Sequence, residues 1–170
     1  PEVAFKPYPC CHYIQAALQA LANVLARGVA ATDIERLDCQ LPREVAWLVC
    51  EPWSDKLAPA SGHVAKFSLP WCLASLLVDG HVDVGTFDRH EVDNRVLPVM
   101  HRIHFQAIEQ SAFPDRFPAR VQVKTHDGRV FDEQVHDVHG SPGHPFTRDE
   151  VLAKFRDNAQ RTLTAEATSD

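Results

Sequence analysis

Residues 5–26 begin Phe5-Lys6-Pro7-Tyr8-Pro9-Cys10-Cys11-His12 and continue as an apolar run from Tyr13 to Ala26. The two prolines keep the first part extended and disfavour helix at the residues just before them. We therefore expect the helix to begin only after Pro9, so that a lysine, two thiols and an imidazole lie in a stiff loop and in the first turn. The first turn of a helix has free N–H groups and the positive end of the helix dipole. This corner therefore predicts a site for a carboxylate or phosphate, and a loop packed against the core is the plainer alternative.

The size and composition of the chain fit one globular domain. It has 170 residues, of which 45% are hydrophobic and 24% charged, values that are ordinary for a domain with its own core. No apolar run approaches the roughly 18 residues of a membrane span, so no membrane association is expected. The net charge of −6, with scattered Lys and Arg, argues against a nucleic-acid partner. The odd number of cysteines at irregular spacing predicts reduced thiols in a cytoplasmic protein: Cys10, Cys11, Cys39, Cys50 and Cys72.

Apolar residues at helical spacing predict a first helix over Tyr13–Arg27, and Gly28 suits a left-handed cap after it. A second helix is predicted over Val64–Val78. Pro70 leaves two alternatives there, because either Ser68 caps a helix that starts at that point or the helix starts earlier and bends at the proline.

Two further helical segments are predicted in the second half of the chain. Residues 87–100 are expected to be helical in part and broken near Pro98. Thr147 to Glu150 form a capping box, with Phe146 and Val151 placed for a hydrophobic staple. That helix should run to about Leu163, and the apolar residues expected to be buried on it are Val151, Leu152, Phe155 and Ala159. Residues 164–170 are expected to be a frayed tail.

Alternating or continuous apolar segments predict the strands. They are Ile34–Leu41, Ile103–Ile108, Ala119–Thr125 and Arg129–Val135, with residues 45–50 as a strand or buried segment. The last two form a hairpin around Asp127-Gly128, a dipeptide that favours a tight primed turn. Residues 51–62 and 136–145 are expected to be loops. The predicted class is α+β, with helices packed on a small, mainly antiparallel sheet.

Lys6 is the first candidate for chemistry, and a solvated loop lysine is its plainer interpretation. Cys11 and His12 are adjacent, so on a helix their side chains diverge by about 100° and do not form a nucleophile–base pair by themselves. Contiguous Cys10, Cys11 and His12 also lack the gaps between ligands that metal sites use. We therefore predict no metal and no cofactor.

Other candidates have plainer interpretations as well. Lys66 and Ser68 lie near the start of the second helix, where a surface lysine and a capping serine are expected. Three histidines of one loop, namely His136, His139 and His144, are expected to be exposed. Trp47 and Trp71 are expected to be core or interface aromatics. Because these residues assemble no complete acid–base site, a catalytic protein would need groups from another chain or segment.

Three segments, taken together and in order, resemble the MmgE/PrpD family, which includes 2-methylcitrate dehydratases, cis-aconitate decarboxylase and iminodisuccinate epimerases. They are Lys6–His12, Ala65–Trp71 followed by residues 74–80, and Gly140–Thr147 with Lys154-Phe155. The resemblance implies that residues 1–163 are a lid-type C-terminal domain. It also implies that an all-helical N-terminal domain, not contained in this chain, completes the protein, and that the full-length protein is a homodimer. The family active site lies between the two domains and needs no metal.

The resemblance also implies roles for single residues. Lys6 matches the lysine that the lid contributes, and Cys11 stands where family members have His or Cys. We hypothesise that Lys6 binds a carboxylate of a small polycarboxylate, and that His12, or else Cys11, orients substrate or handles a proton. Tyr8, Lys66 and Ser68 are further substrate-binding candidates.

The position of Cys11 also marks a departure. Decarboxylase-like members have histidine there, which puts itaconate-type decarboxylation in doubt. The resemblance as a whole implies a 2-methylcitrate dehydratase-like lyase or an isomerase that acts on a small polycarboxylate. A non-catalytic binding or assembly module is the alternative.

Overall fold

The computed structural model describes residues 4–88, 93–164 and 167, and within them a four-stranded sheet. The strands are β1 (Ile34–Pro42), β2 (Ile103–Ile108), β3 (Ala119–Thr125) and β4 (Val130–Val135), in the order β2-β1-β3-β4. β1 pairs parallel with β2 and antiparallel with β3, and β3 and β4 form an antiparallel hairpin. The α+β class and the mainly antiparallel sheet are therefore confirmed.

Eight α-helical segments lie in the described part of the chain. They are α1 (Gln15–Leu25), α2 (Arg43–Val49), α3 (Trp53–Lys56), α4 (Gly62–Ala65), α5 (Leu69–Asp79), α6 (Val84–Phe87), α7 (Leu97–Met100) and α8 (Arg148–Ala159). None of these helices has the length and apolar character that crossing a bilayer requires. Helix α1 packs on β3 and β4 and also contacts α5, which reaches α7 and β2. The core therefore lies between one face of the sheet and the α1–α5 pair.

Helix α1 begins where the prolines allow it. A 3-10 turn over His12–Ile14 precedes the α-helix at Gln15, so the predicted start after Pro9 is confirmed. The helix is apolar on most of its circumference because it is covered by the sheet on one side and by α5 on another. Its fully buried side chains include Leu18, Leu21 and Val24, and Ile14 of the preceding 3-10 turn is fully buried as well.

The predicted second helix is two helices, α4 and α5. The Ser68 hydroxyl accepts a hydrogen bond from the Trp71 N–H at 3.1 Å and caps α5, so the first of the two alternatives is the correct one. Pro70 lies in the first turn, where its missing N–H costs no helical hydrogen bond. Gly80 ends the helix in the left-handed conformation.

Three local predictions need correction. Of the two alternatives for residues 45–50, the buried segment is correct and the strand is wrong, because these residues form most of α2, whose Val45 and Val49 are buried while Trp47 is 65% exposed. This burial pattern has the period of a helix, and the tryptophan that extends the apolar run faces solvent. Residues 51–62 contain the short helix α3. Pro98 lies in the first turn of α7 rather than at a break, and residues 89–92 of that predicted helix lie outside the described residues.

The hairpin is confirmed, but its turn type was wrong. Thr125 donates its N–H to the Arg129 carbonyl at 3.0 Å and accepts from the Gly128 N–H at 2.9 Å, which closes a three-residue loop. Gly128 has φ +85°, whereas no non-glycine residue in the described ranges has positive φ. A primed turn needs positive φ at Asp127 as well. One extra residue, His126, therefore converts the expected two-residue turn into a three-residue one.

Helix α8 has the predicted capping box but not the predicted burial. Thr147 and Glu150 satisfy each other's N–H groups, and the helix ends at Ala159 rather than near Leu163. None of its residues is fully buried, and Leu152 and Phe155 are 37% and 58% exposed. Polar contacts join the helix to the rest of the domain, from Lys154 to the Pro7 carbonyl and from Glu150 to His139, while Leu152 and Phe155 face solvent. Of the predicted tail, residues 165–166 and 168–170 lie outside the described residues.

We expect the start of α8 to depend on pH through Glu150. Hydrogen bonds from the Thr147 N–H and from His139 lower the pKa of Glu150 from 4.5 to about 2. A lowered pKa means that the carboxylate stabilises the helix start fully above its ordinary pKa, and that this contribution is lost as the pH falls through the lowered value. The helical NMR shifts of residues 148–151 should therefore decline between pH 4.5 and about 2. A Glu150→Gln variant should lack this titration, and identical curves for the two proteins would contradict the assignment.

Candidate functional site

The proline-braced loop is held from inside by Gln15, which is fully buried at the start of α1. The Gln15 Oε1 accepts from the Tyr8 N–H at 3.1 Å, and Nε2 donates to the Tyr8 carbonyl at 2.9 Å. The same Nε2 lies 3.3 Å from the carbonyl oxygens of Cys10 and Cys11. One side chain therefore bonds four backbone groups on three loop residues, Tyr8, Cys10 and Cys11.

Two further contacts fix the outer side of the loop. The Cys11 N–H donates to the Lys66 carbonyl at 2.9 Å, which joins the loop to the segment between α4 and α5. The Lys154 Nζ donates to the Pro7 carbonyl at 3.3 Å, which joins it to α8. The loop is therefore tied to three separate parts of the domain.

The start of the described chain is held by the loop that precedes α8. The Phe5 N–H donates to the Gly140 carbonyl at 2.9 Å, and the Phe5 and Phe146 rings stack with centroids 6.1 Å apart. Gly140 has φ +93°, and a Cβ at this position would lie 2.2 Å from the Phe5 carbonyl oxygen. Glycine is therefore required for both backbone conformation and close approach. This contact fixes the residue just before Lys6.

The structure brings Lys6, Cys11 and His12 together. Lys6 is exposed, and its charge acts on both neighbours: it adds to burial in lowering the pKa of His12, and it opposes burial at Cys11, whose pKa is raised overall. Within the described residues, no carboxylate forms an ion pair with Lys6. The corner therefore presents one ammonium group next to a thiol and an imidazole.

Cys11 occupies the helix N-terminus that was expected to receive an anion. The N–H groups of Tyr13 and His12 are directed at its sulfur, and they lower the pKa of the thiol as Lys6 does. Burial outweighs them and raises the pKa of Cys11 above its usual value. The side chain is therefore a protonated thiol at neutral pH. Anion binding by these N–H groups stays a prediction, and a ligand would share them with the sulfur.

His12 has the opposite protonation behaviour. Burial and then the Lys6 charge lower the pKa of its imidazole below 6.5. Its ring is half-buried against the edge of Phe117, with centroids 4.6 Å apart, and Tyr13 stacks on the same phenylalanine. His12 is therefore neutral at pH 7 and can accept a proton.

The other predicted binding residues lie elsewhere. Ser68 is fully buried, and besides capping α5 its hydroxyl donates to the Lys56 carbonyl at 2.7 Å. The Lys66 ammonium lies 5.7 Å from the centroid of the Phe87 ring. Tyr8 lines a cavity whose lining does not include Lys6, and burial raises the pKa of its hydroxyl. Substrate binding by these three residues stays a prediction.

This cavity, of about 860 Å³, lies between the proline loop and α8. His139 Nε2 lies 2.6 Å from Glu150 Oε1 at its edge, so the expectation of exposed loop histidines is correct for His136 and His144 but wrong for His139. Sequence reasoning missed His139 and Glu150 as a pair, as it missed Gln15. The one available signal for Gln15 was an amide within an otherwise apolar helix start.

All five cysteines lie among the residues that the structure describes, so their predicted reduced state can be compared with it. All five cysteines are buried and free. Among the described residues, no group of three or more His, Cys, Asp or Glu is arranged to hold a metal ion. Trp71 is buried in the core as expected, whereas Trp47 is exposed.

Comparison with known proteins identifies the domain. Residues 8–170 match the model of the MmgE/PrpD C-terminal domain. The chain belongs to the MmgE/PrpD family. It is similar to cis-aconitate decarboxylase from Homo sapiens, with 25% identity over 96% of this chain, and to cis-aconitate decarboxylase from Mus musculus, with 25% identity over 95%. The chain spans about a third of the length of each relative, 34%.

Removal of the Lys6 charge should change the pKa of both neighbouring groups, His12 and Cys11. In Lys6→Ala we expect the pKa of His12 and the pKa of Cys11 to rise, because the ammonium group lowers both in the wild type. NMR titration of His12 and the pH dependence of Cys11 alkylation measure the two changes. Lys124→Ala, which removes an exposed lysine paired with Glu35, is the control and should change neither. Unchanged values in Lys6→Ala would place Lys6 away from the corner.

Proposed function

We propose that this domain is the lid of a lyase or isomerase that acts on a small polycarboxylate, with Lys6 binding a substrate carboxylate at a site shared with a helical domain. The observation that carries the proposal is the place of Lys6: it is exposed, has no ion pair among the described residues, and lies in the braced loop that also carries Cys11 and His12. Membership of a family that includes lyases agrees with it. In this proposal the enzyme is cytoplasmic, needs no metal and is a homodimer.

The chemistry requires a positive group at this place. Removal of a proton, or of carbon dioxide, beside a carboxylate adds negative charge next to existing negative charge. A positioned cation stabilises that charge most where it develops, in the transition state. Lys6 supplies the cation, and the proline-braced loop holds it without a flexible backbone.

The different protonation states of His12 and Cys11 favour different roles for the two residues. A neutral His12 can take a proton from substrate, whereas Cys11, whose pKa is raised by burial, can donate a proton but is a poor base. His12 is therefore the better candidate for proton handling, and Cys11 for orientation. Tyr8, Lys66 and Ser68 remain secondary candidates, since Tyr8 lies on the cavity side and Ser68 is buried.

The reaction type has three candidates, namely dehydration, decarboxylation and epimerisation. The relatives are named for decarboxylation, whereas Cys11 stands where decarboxylase-like members have histidine. Thiol and imidazole differ in basicity and hydrogen bonding, so this position counts against decarboxylation. Turnover of 2-methylcitrate, cis-aconitate and iminodisuccinate by the domain paired with its helical partner distinguishes dehydratase, decarboxylase and epimerase.

Lys6→Ala should lower kcat/KM on whichever of these substrates is turned over. Loss of a charge-assisted contact costs about 1.5–3 kcal/mol, which is roughly one to two decades in rate. Steady-state kinetics on the paired domains, with thermal unfolding as a check of folding, measures the effect. Lys124→Ala is the matched control. An unchanged kcat/KM in Lys6→Ala would remove Lys6 from the site.

The 170 residues alone should show no turnover of the three substrates, because the remaining acid–base groups are expected on the helical domain. Addition of that domain should restore activity and cover exposed apolar side chains; among the described residues the most exposed are Trp47, Phe155 and Val130, at 65%, 58% and 57%. Turnover assays and hydrogen exchange with and without the partner test both. Robust turnover by the chain alone would contradict a shared site. A gene that encodes no helical domain would favour the non-catalytic module.

A further inference from the structure

The buried amide of Gln15 does more than fill the core. Its side chain is 0% exposed and makes its polar contacts only with the loop that carries Lys6, Cys11 and His12. The contacts are the N–H and carbonyl of Tyr8, the carbonyls of Cys10 and Cys11, and the Cys10 sulfur, at 2.9 to 3.3 Å. A core position that needed only volume would hold an apolar residue at lower desolvation cost.

The chemistry of the contacts restricts the side chain. Three carbonyls need a donor and one N–H needs an acceptor, and a primary amide offers both. A carboxylate at this position would place negative charge against three carbonyl oxygens. An apolar side chain would leave the Tyr8 N–H and the carbonyls of Tyr8 and Cys10 unsatisfied, whereas the Cys11 carbonyl would keep the Ile14 N–H at 3.1 Å. The amide therefore fixes the direction of the backbone over Tyr8–Cys11, and with it the residues on either side.

We propose that Gln15 is a positioning residue of the lid site, which acts through the loop backbone to hold Lys6, Cys11 and His12 in one arrangement. This role rests on the proposed function, since it is useful only if the corner meets a substrate. Gln15 itself touches no reacting group. Gln19 lies one turn further along α1, half-buried, with a side-chain hydrogen bond to Asn23 at 3.1 Å and none to the loop.

The first test measures the loop in the 170-residue chain. In Gln15→Leu the Tyr8 amide should exchange about tenfold faster with solvent, because its acceptor is gone, while amides of α5 keep their protection. Gln19→Leu should leave the Tyr8 amide unchanged. Unchanged exchange at Tyr8 in Gln15→Leu would overturn the proposal. If that variant does not fold, the same question is tested in the wild-type chain. There the side-chain NH₂ protons of Gln15 should exchange with solvent far more slowly than those of Gln19, and equal rates would overturn the proposal.

The second test separates positioning from stability. Release of the loop should raise the pKa of His12 in Gln15→Leu, because burial and the Lys6 charge now lower it. Leu18→Ala, a fully buried position of α1, lowers stability without touching the loop and should leave the His12 titration in place. A shift in Leu18→Ala equal to that in Gln15→Leu would reduce Gln15 to a stability residue.

Neither test measures turnover, so the two proposals fail separately. If Lys6→Ala keeps its kcat/KM while Gln15→Leu frees the loop, the proposed function is wrong and the positioning role of Gln15 stands. If Lys6→Ala loses activity, while Gln15→Leu changes neither the exchange rate of the Tyr8 amide nor the pKa of His12, the proposed function stands and the positioning role is wrong.

Discussion

The desolvated backbone of the proline loop is the constraint on which the candidate site depends. Pro7 and Pro9 stiffen this segment and remove two N–H groups, yet its carbonyls still need donors once α1 and the core enclose them. The Gln15 amide, the Lys66 carbonyl and the Lys154 ammonium supply partners from three separate parts of the domain. Stiffness of the loop is therefore a tertiary property. Prolines alone would make an extended segment, but they would not determine where it points.

Contacts between the two ends of the chain serve the same loop. The Phe5 strand-like segment lies against Gly140, and α8 reaches Pro7 through Lys154. The three segments that resemble the family, far apart in sequence, thus meet around one short stretch of backbone. What the three segments share is that they support the loop. Only a few of their residues have side chains that could take part in chemistry.

Elements with a strong local signal could be predicted from the sequence. The α+β class, α1, β1, the β3–β4 hairpin and the Thr147 capping box follow from periodicity and turn chemistry. The errors have tertiary causes. Residues 45–50 form a helix that buries its apolar side chains on one side only, and Leu152 and Phe155 of α8 remain exposed although the sequence pattern predicts their burial. In both cases the pattern of apolar residues along the segment carries no information about which other parts of the domain the segment packs against.

The candidate site was predictable in its residue types but not in its protonation states. Lys6, Cys11 and His12 were identifiable from their place before α1, yet a thiol next to a cation and a helix N-terminus is expected to have a lowered pKa. In the structure burial wins at Cys11, so the thiol stays protonated, while at His12 burial and the Lys6 charge act in the same direction and keep the imidazole neutral. Burial therefore has the larger effect at both neighbours, and the Lys6 charge adds to it at His12 and opposes it at Cys11. The deciding quantity is desolvation, which depends on how the whole domain covers the loop.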